Sequence, residues 1–148
     1  HTQRRRQRQM CIRDRYASKH KFTKIAGVEA RGFIFGAAVA FKLGLPFVPI
    51  RKKGKLPGKV IRQKYSLEYG NDEIQVHSNS ITSRDRILII DDLIATGGTA
   101  EAAAKLVEIS KGKVAAFIFV INLFDLGGCD NLLKKGYNVE NLMDFPGH

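Results

Sequence analysis

The sequence predicts an α/β fold, an open and mostly parallel sheet flanked by helices, and three observations support this. Apolar runs without alternation, such as "RILII" over residues 86–90, are typical of strands that are covered on both faces. Segments whose apolar residues recur at helical spacing follow such runs, as after "KIAGV" over residues 24–28. The connections between the segments are short. This alternation indicates parallel strands joined by crossover helices.

The first half of the chain contains two predicted strands around one helix. "KIAGV" is a short buried strand, and "LPFVPI" over residues 45–50 is the next, since a proline is acceptable at a strand start. A helix is predicted over Phe33–Leu43, and Gly44 fits its C-terminal stop. The apolar residues at helical spacing in this segment are Phe33, Ala37, Ala40 and Phe41.

A cationic segment follows, "RKKGKLPGKVIRQK" over residues 51–64. Its two glycines and its proline predict a mobile loop. The next pieces, "YSLEYG" over residues 65–70 and "EIQVH" over residues 73–77, are predicted to be short and extended around a Gly-Asn-Asp turn.

The second half repeats the strand–helix pattern. "RILII" is a buried strand, and "TAEAAAKLVEIS" over residues 99–110 is a strong helix with Thr99 as its N-cap. "VAAFIFVI" over residues 114–121 is another buried strand, and "GGCDNLLKKG" over residues 127–136 predicts a short helix. Because the sequence has neither an internal repeat nor a long linker, one folded domain is expected.

The net charge of +11 is concentrated in two segments. Residues 1–24 contribute +8, residues 51–64 contribute +7, and the remaining residues sum to −4. Residues 1–20 have no helical or strand periodicity and little apolar content, so they are predicted to be a disordered or artefactual basic leader before a domain over residues 21–148. A native arm that binds nucleic acid or serves targeting is the alternative. A diffuse basic surface is absent, and no specific nucleic-acid partner is expected.

Several protein classes are disfavoured by composition. No stretch approaches the roughly 20 apolar residues of a membrane span, so no membrane partner is expected. No secretory signal is visible after the basic head. The two cysteines, Cys11 and Cys129, form neither a disulfide framework nor metal-ligand spacing. A reduced cytoplasmic protein is therefore the expectation.

A candidate ligand site follows the strand "RILII". In open α/β sheets, ligands bind beyond the carboxyl ends of the strands, where this strand delivers Asp91 and Asp92. A small, hydroxyl-rich loop then leads into a helix start, whose unpaired amides and dipole favour a phosphate. The residues of this predicted 5′-phosphate loop are Ala95, Thr96, Gly97, Gly98 and Thr99.

The two acids indicate what accompanies the phosphate. Because carboxylates repel a phosphate, a group must lie between them, and a ribose fits: its hydroxyls donate to the acids while its 5′-phosphate reaches the loop. The pattern is neither a Walker loop nor a dinucleotide motif. A purely structural turn remains an alternative, whereas direct metal binding lacks a third ligand at supporting spacing.

The motif "IIDDLIATGGTA" resembles the phosphoribosyl-diphosphate signature of the type I phosphoribosyltransferases. Three further segments, "AGVEARGFIFG", "PIRKKGKLPG" and "YSLEYG", narrow the resemblance to the adenine-specific branch of that family, from about Lys24 to the C-terminus. The resemblance implies transfer of the 5-phosphoribosyl group from phosphoribosyl diphosphate to N9 of adenine. The products would be AMP and diphosphate, a purine-salvage reaction, with Mg²⁺ held mainly by substrate oxygens and not directly by the protein.

The resemblance also implies roles for individual residues. Asp91 and Asp92 would hold the ribose hydroxyls and favour a cationic ring in the transition state. Glu68 would assist proton transfer at the purine, with Tyr69 and Leu93 on the base side of the site.

Diphosphate binding is expected from the loop Glu29–Gly32 and from nearby cations. Arg31 would contact the diphosphate, and the glycines around the other cations suit a lid that excludes water. Those other cations are Arg51, Lys52 and Lys55.

Family members carry a longer N-terminal segment that helps to form a hood over the base and part of a dimer interface. We expect that this segment is missing here, that phosphate binding survives better than turnover, and that the chain forms a homodimer. Three alternatives stay open: a non-catalytic regulatory module that binds phosphoribosyl diphosphate, an enzyme for another base such as xanthine or orotate, and a nucleic-acid-binding protein that uses the basic head.

Overall fold

The computed structural model describes residues 21–67 and 69–148 and contains a seven-stranded sheet. The spatial order of its strands is β3-β4-β2-β1-β5-β6-β7. The strands are β1 (Lys24–Val28), β2 (Phe47–Lys52), β3 (Val60–Leu67), β4 (Gly70–His77), β5 (Arg86–Ile94), β6 (Lys113–Leu123) and β7 (Val139–Phe145). The helices are α1 (Gly32–Leu43), α2 (Gly98–Ile109) and α3 (Gly128–Lys134), with a short 3₁₀ turn at Phe124–Leu126.

Five strands of the sheet run parallel, and a hairpin is added at one edge. β2, β1, β5, β6 and β7 pair in parallel, whereas β4 is antiparallel to both β2 and β3. The predicted open, mostly parallel sheet with flanking helices is therefore confirmed. The predicted leader, residues 1–20, lies outside the described residues and stays a prediction. None of the helices described is both long and apolar enough to cross a membrane.

Strand β5 shows why the apolar run at its start is continuous. Ile87 and Ile89 belong to the core cluster that packs under α2, while Leu88 and Ile90 belong to the cluster on the α1 side. Neighbouring residues of a strand point to opposite faces, so a strand covered by helices on both faces needs apolar residues at every position. β5 consequently anchors the centre of the sheet.

Helix α1 has the predicted position but buries a different face. Its fully buried residues are Gly32, Gly36 and Ala40, and it ends at Gly44 in the left-handed conformation. Phe41, one of the residues that suggested the helix, is instead 91% exposed. The helix approaches the sheet so closely that a Cβ at Gly36 would lie 2.9 Å from the Phe47 ring. Small residues therefore face the sheet where the helix approaches it most closely, whereas Ile34 and Phe41 face outward.

The cationic segment and the tyrosine-containing segment form one hairpin, which corrects the predicted mobile loop. β3 begins at Val60, so only residues 53–59 lie between strands. Leu67 pairs with Gly70, which places the reversal of the chain before the predicted Gly-Asn-Asp turn. The prediction was wrong because charged residues in the segment Ile61–Tyr65 alternate with partly buried ones, a strand period that the charges conceal.

Two further boundaries differ from the predictions. β5 continues through both acids to Ile94, beyond the predicted strand end. Helix α2 begins at Gly98, and its N-cap is Gly97 with φ of 91° and no side-chain cap hydrogen bond, so Thr99 is not the N-cap. Gly97 adopts a left-handed backbone conformation that few other residues tolerate. The helix begins directly after it and therefore earlier than an N-cap at Thr99 would allow. Strand β7 was not predicted, because "VENLMDF" contains no continuous apolar run.

A buried carboxylate joins the amino ends of β1 and β5. Asp85 forms an ion pair of 2.8 Å with Lys24 and accepts hydrogen bonds from the Thr82 amide at 2.8 Å and the Thr23 hydroxyl at 2.9 Å. Burial by itself raises the pKa of Asp85, but these partners outweigh burial and lower the pKa below its ordinary value of 3.8. Ionised Asp85 therefore stabilises the fold.

Replacement of this carboxylate should destabilise the chain in a pH-dependent way. Asp85→Asn should lower the free energy of unfolding at pH 7 by about 1–3 kcal/mol, as expected for charge-assisted hydrogen bonds. Because the pKa is lower in the folded state, the contribution is present above about pH 4 and is lost as the pH falls further. Urea denaturation at pH 7 and pH 3 measures both effects. The exposed Asp130→Asn is the control, and equal stability of Asp85→Asn and the parent at pH 7 would contradict the assignment.

Candidate functional site

Two adjacent cavities lie at the carboxyl end of β5. The first, of about 630 Å³, is lined by residues 95–99 and by part of the β3–β4 hairpin. The second, of about 500 Å³, is lined by residues 28–31, Lys52 and Asp92 among others. Three residues line both cavities, namely Asp91, Leu93 and Thr99. A ligand with two ends can therefore occupy both cavities and pass the acids in the middle.

The two acids are held in different electrostatic environments. The Asp92 amide donates to Asp91 Oδ1 at 2.8 Å, and Arg31 Nε donates to Asp92 Oδ2 in a close ion pair. Burial and the neighbouring Asp92 raise the pKa of Asp91 to about 7, although the Asp92 amide and Arg31 act in the opposite direction. Asp91 is thus only partly ionised near neutral pH.

The loop before α1 reaches the acids because it ends in a glycine. A Cβ at Gly32 would lie 2.9 Å from Asp91 Oδ1 and 2.9 Å from the Ile90 carbonyl oxygen. Any side chain at this position would push the loop away from β5. The predicted diphosphate loop, Glu29–Gly32, therefore lies directly against the acid pair.

The predicted 5′-phosphate loop forms one wall of the first cavity. Ala95 to Thr99 all line it, and the Gly128 amide donates to the Ala95 carbonyl at 3.0 Å. At Gly97, which has a positive φ, a Cβ would lie 3.2 Å from Gly128 Cα. The first amides of a helix have no intrahelical acceptor, so the start of α2 presents donors to the cavity. This arrangement suits an anion.

Glu29 fixes the base of the predicted diphosphate loop. Its carboxylate accepts from the Lys52 amide at 2.8 Å and from Arg51 Nε and Nη2 at 3.3 Å. Burial disfavours the charged form of Glu29, but the Lys52 amide and Arg51 outweigh it and lower the pKa. Arg51 also donates to the Lys55 carbonyl at 3.1 Å. The Glu29–Ala30 peptide is cis.

The predicted diphosphate cations fall into two groups. Arg31 and Lys52 line the second cavity, whereas neither Arg51 nor Lys55 is among the residues that line either cavity. Arg51 is instead engaged by Glu29, so its charge is already compensated within the chain. Of the cations predicted to bind the diphosphate, the described part of the chain therefore brings only Arg31 and Lys52 to the cavity beside the acids.

The base side of the predicted site is only partly described. Leu93 lies on the wall that the two cavities share, and Tyr69 lines the first cavity while remaining 97% exposed. Glu68, the predicted proton-transfer residue, lies outside the described residues.

Sequence reasoning missed several wall residues. The first cavity is also lined by Ser66, Leu67, Phe119 and Leu126, and the second by Tyr65. Leu126 follows the carboxyl end of β6, which lies next to β5. Because parallel strands end at the same edge of a sheet, the position of Leu126 in the sequence could have predicted that it lies near the acids. Tyr65 gave no such signal, since its placement depends on the hairpin.

Comparisons with known proteins agree on one family. Residues 9–139 match the phosphoribosyl transferase domain. Over 132 residues, 89% of this chain and 75% of the relative, the chain is 62% identical to adenine phosphoribosyltransferase of Pelagibacter ubique. The crystal structure of adenine phosphoribosyltransferase from Thermoanaerobacter pseudethanolicus matches with a TM-score of 0.84 at 44% identity, covering 90% of this chain and 77% of that one. The Saccharomyces cerevisiae enzyme, complexed with D-2,5-dideoxy-2,5-imino-altritol 1,6-bisphosphate and adenine, matches with a TM-score of 0.81 at 39% identity, covering 88% and 72%.

The raised pKa of Asp91 predicts a stability effect of the opposite sign to that of Asp85. The unfolded chain loses this proton near pH 3.8 and the folded chain near pH 7, so the folded state binds more protons between these values and stability falls as the pH rises. Asp91→Asn should therefore be more stable than the parent at pH 8, by up to about 4 kcal/mol, and similar to it at pH 4. Urea denaturation at both values measures this. A variant that is less stable at pH 8 would contradict the proposed repulsion.

Proposed function

This chain belongs to the adenine phosphoribosyltransferases, a branch of the phosphoribosyl transferase family, and we propose that the two cavities at the end of β5 carry out their reaction. The 5-phosphoribosyl group of phosphoribosyl diphosphate passes to N9 of adenine, giving AMP and diphosphate in purine salvage. The observation that carries this proposal is the position of Asp91 between a helix-start anion loop on one side and the Arg31 loop on the other. Such a site fits a sugar with an anionic group at each end.

The ribose 5-phosphate half of the substrate occupies the first cavity in this proposal. The 5′-phosphate accepts hydrogen bonds from the amides and hydroxyls of residues 95–99, at the positive end of α2. The ribose hydroxyls donate to Asp91 and Asp92, which replaces the Arg31 contact of Asp92. In support, the solved yeast relative carries a bisphosphorylated imino sugar together with adenine.

The diphosphate occupies the second cavity, where Arg31 and Lys52 provide positive charge. Lys55 and Arg51 act at longer range, Arg51 by holding Glu29 and thereby the loop. Mg²⁺ would accompany the diphosphate and would be held mainly by the substrate's phosphate oxygens, the hard ligands that it prefers, and not directly by the protein. When bound, Mg²⁺ supplies positive charge to the leaving group.

Bond cleavage at the anomeric carbon determines which charges the site must stabilise. Positive charge develops on the ribose ring and negative charge on the departing diphosphate. The acid pair stabilises the ring, while Arg31 and Lys52 stabilise the leaving group, so charges of both signs are already in place. Leu93 packs against the base, Tyr69 covers it from the hairpin, and Glu68 accepts or returns the proton that N9 attack redistributes.

We further propose a homodimer in a cytoplasmic setting. The outward face of α1 exposes Ile34 (70%) and Phe41 (91%), an apolar surface of the kind that marks an interface, and a second copy of the chain is its expected partner. Cys129 is a free, buried thiol, a state that a reducing compartment maintains.

Asp92→Asn tests the ribose assignment. Loss of charge-assisted hydrogen bonds worth about 1.5–3 kcal/mol should lower kcat/KM for AMP formation from adenine by roughly tenfold to a hundredfold. The assay follows AMP by chromatography, with xanthine and orotate as competing acceptor bases and Asp130→Asn as the control. Unchanged AMP formation in Asp92→Asn would remove the acids from the mechanism, and preference for another base would replace adenine as the substrate.

Phe41→Asp tests the dimer. Sedimentation of the parent chain should give about twice the 16.5 kDa chain mass, and the variant should sediment as a monomer because a carboxylate at the interface costs free energy when desolvated. Leu133→Asp, at a half-exposed leucine on α3, is the matched control and should remain dimeric. A monomeric parent chain contradicts the proposal.

A further inference from the structure

The turn after β6 forms a wall of the first cavity. Phe124–Leu126 is a 3₁₀ turn at the carboxyl end of that strand, and Leu126 lines the cavity together with Gly147, a residue that follows β7. The two residues are in close contact, since a Cβ at Gly147 would lie 2.7 Å from Leu126 Cγ. Two segments that are distant in sequence therefore meet at this wall.

Asp125 joins these two segments. Its Oδ1 accepts a hydrogen bond from the Gly147 amide at 2.6 Å, and its Oδ2 lies 3.1 Å from His148 Nδ1. The side chain of Asp125 is 34% exposed and that of His148 is 86% exposed, so solvent screens the contact with the imidazole. The bond from the Gly147 amide, in which the acceptor is charged, is therefore the stronger of the two.

The other end of the same turn is fixed to the predicted phosphate loop. The Gly128 amide donates to the Ala95 carbonyl at 3.0 Å. A Cβ at Gly128 would lie 2.4 Å from the Ala95 carbonyl oxygen and 2.9 Å from the Gly97 amide nitrogen. This contact leaves no room for a side chain, so it sets the distance between the turn and the loop. Asp125 therefore attaches the segment of Gly147 to a turn whose own position is already determined.

The chemistry of this wall fits the base of the substrate and not its phosphates. Leu126 and Gly147 carry no charge, and Leu93, the residue expected on the base side, lines the same cavity. The carboxylate of Asp125 beside them disfavours a neighbouring anion, because like charges repel. A neutral purine is the part of the substrate that such a surface favours.

We propose that Asp125 is a positioning residue for the base: by binding the Gly147 amide, it holds Gly147 and Leu126 as one wall on the adenine side of the first cavity. Asp125 acts through the residues that it holds, since it is not itself among the described residues that line either cavity. The inference rests on the proposed function and extends it, because neither the motifs nor the acid pair assigns a role to Asp125 or to the segment after β7.

Asp125→Ala removes the acceptor of this hydrogen bond. Calorimetric titration should show AMP affinity reduced by about threefold to tenfold, the effect of one hydrogen bond, with affinity for ribose 5-phosphate unchanged because that ligand lacks the base. In steady-state assays, KM for adenine should rise, while KM for phosphoribosyl diphosphate should not. The matched control is Glu140→Ala, which removes an exposed carboxylate of β7 away from the wall and should leave both affinities unchanged.

Two further variants separate the proposed contact from a general effect on folding. Asp125→Asn keeps an oxygen that can accept from the Gly147 amide, so it should restore most of the AMP affinity. Gly147→Ala keeps the carboxylate but places a methyl group where Leu126 and Asp125 lie. Either Leu126 or the segment of Gly147 must then move, which should weaken AMP binding and spare ribose 5-phosphate.

Three results would overturn the inference: equal losses for AMP and ribose 5-phosphate, unchanged AMP affinity in Asp125→Ala, or no recovery of AMP affinity in Asp125→Asn. A parent chain that does not bind AMP overturns the proposed function itself, which separates the two failures.

Discussion

Two carboxylates side by side in a half-buried crevice are the constraint on which the rest of this site depends. Asp91 and Asp92 repel each other, and the site compensates without neutralising them fully: a backbone amide serves one, Arg31 serves the other, and the pKa of Asp91 rises to about 7. A bound group that becomes positively charged in its transition state relieves this repulsion. The same group relieves it less in a neutral ground state. In the proposed reaction, this repulsion would therefore favour the transition state, in which positive charge develops next to the acids.

A rigid strand is what allows such repulsion to persist. β5 is paired in parallel on both sides, with β1 and β6, and its apolar residues enter both core clusters. Carboxylates on a loop would separate, whereas on β5 their backbone positions are determined by the sheet. The hairpin and the loop that carries Arg31 lie around this fixed pair, so a ligand at the acids would meet a preorganised centre.

The sequence predicted the parts of the fold that depend on local pattern. β1, β5, α1 and α2 were found because strands covered on both faces are uninterrupted apolar runs and because helices carry apolar residues at their own period. β7 was not predicted because it lies at the sheet edge, where its residues are mostly exposed. The positions of the acid pair and of residues 95–99 at one cavity could be predicted because these residues are contiguous in sequence, whereas Tyr65 and Leu126 reach the cavities only through tertiary packing.

Counting charges in sequence overestimates the cations available to a ligand. Residues 51–64 contain seven Lys or Arg residues and no acid, yet Arg51 lies against Glu29, and the Lys52 ammonium lies near Asp72. Glu29 and Asp72 lie outside that segment, one on the loop after β1 and the other on β4, so no reading of the segment alone reveals the pairing. These ion pairs also connect elements of the structure: Glu29 joins the loop that carries Arg31 to β2, and Asp72 joins β2 to Tyr65. The cationic segment therefore connects the walls of the two cavities as well as carrying positive charge, and its strand residues, 51–52 and 60–64, give these connections a regular backbone.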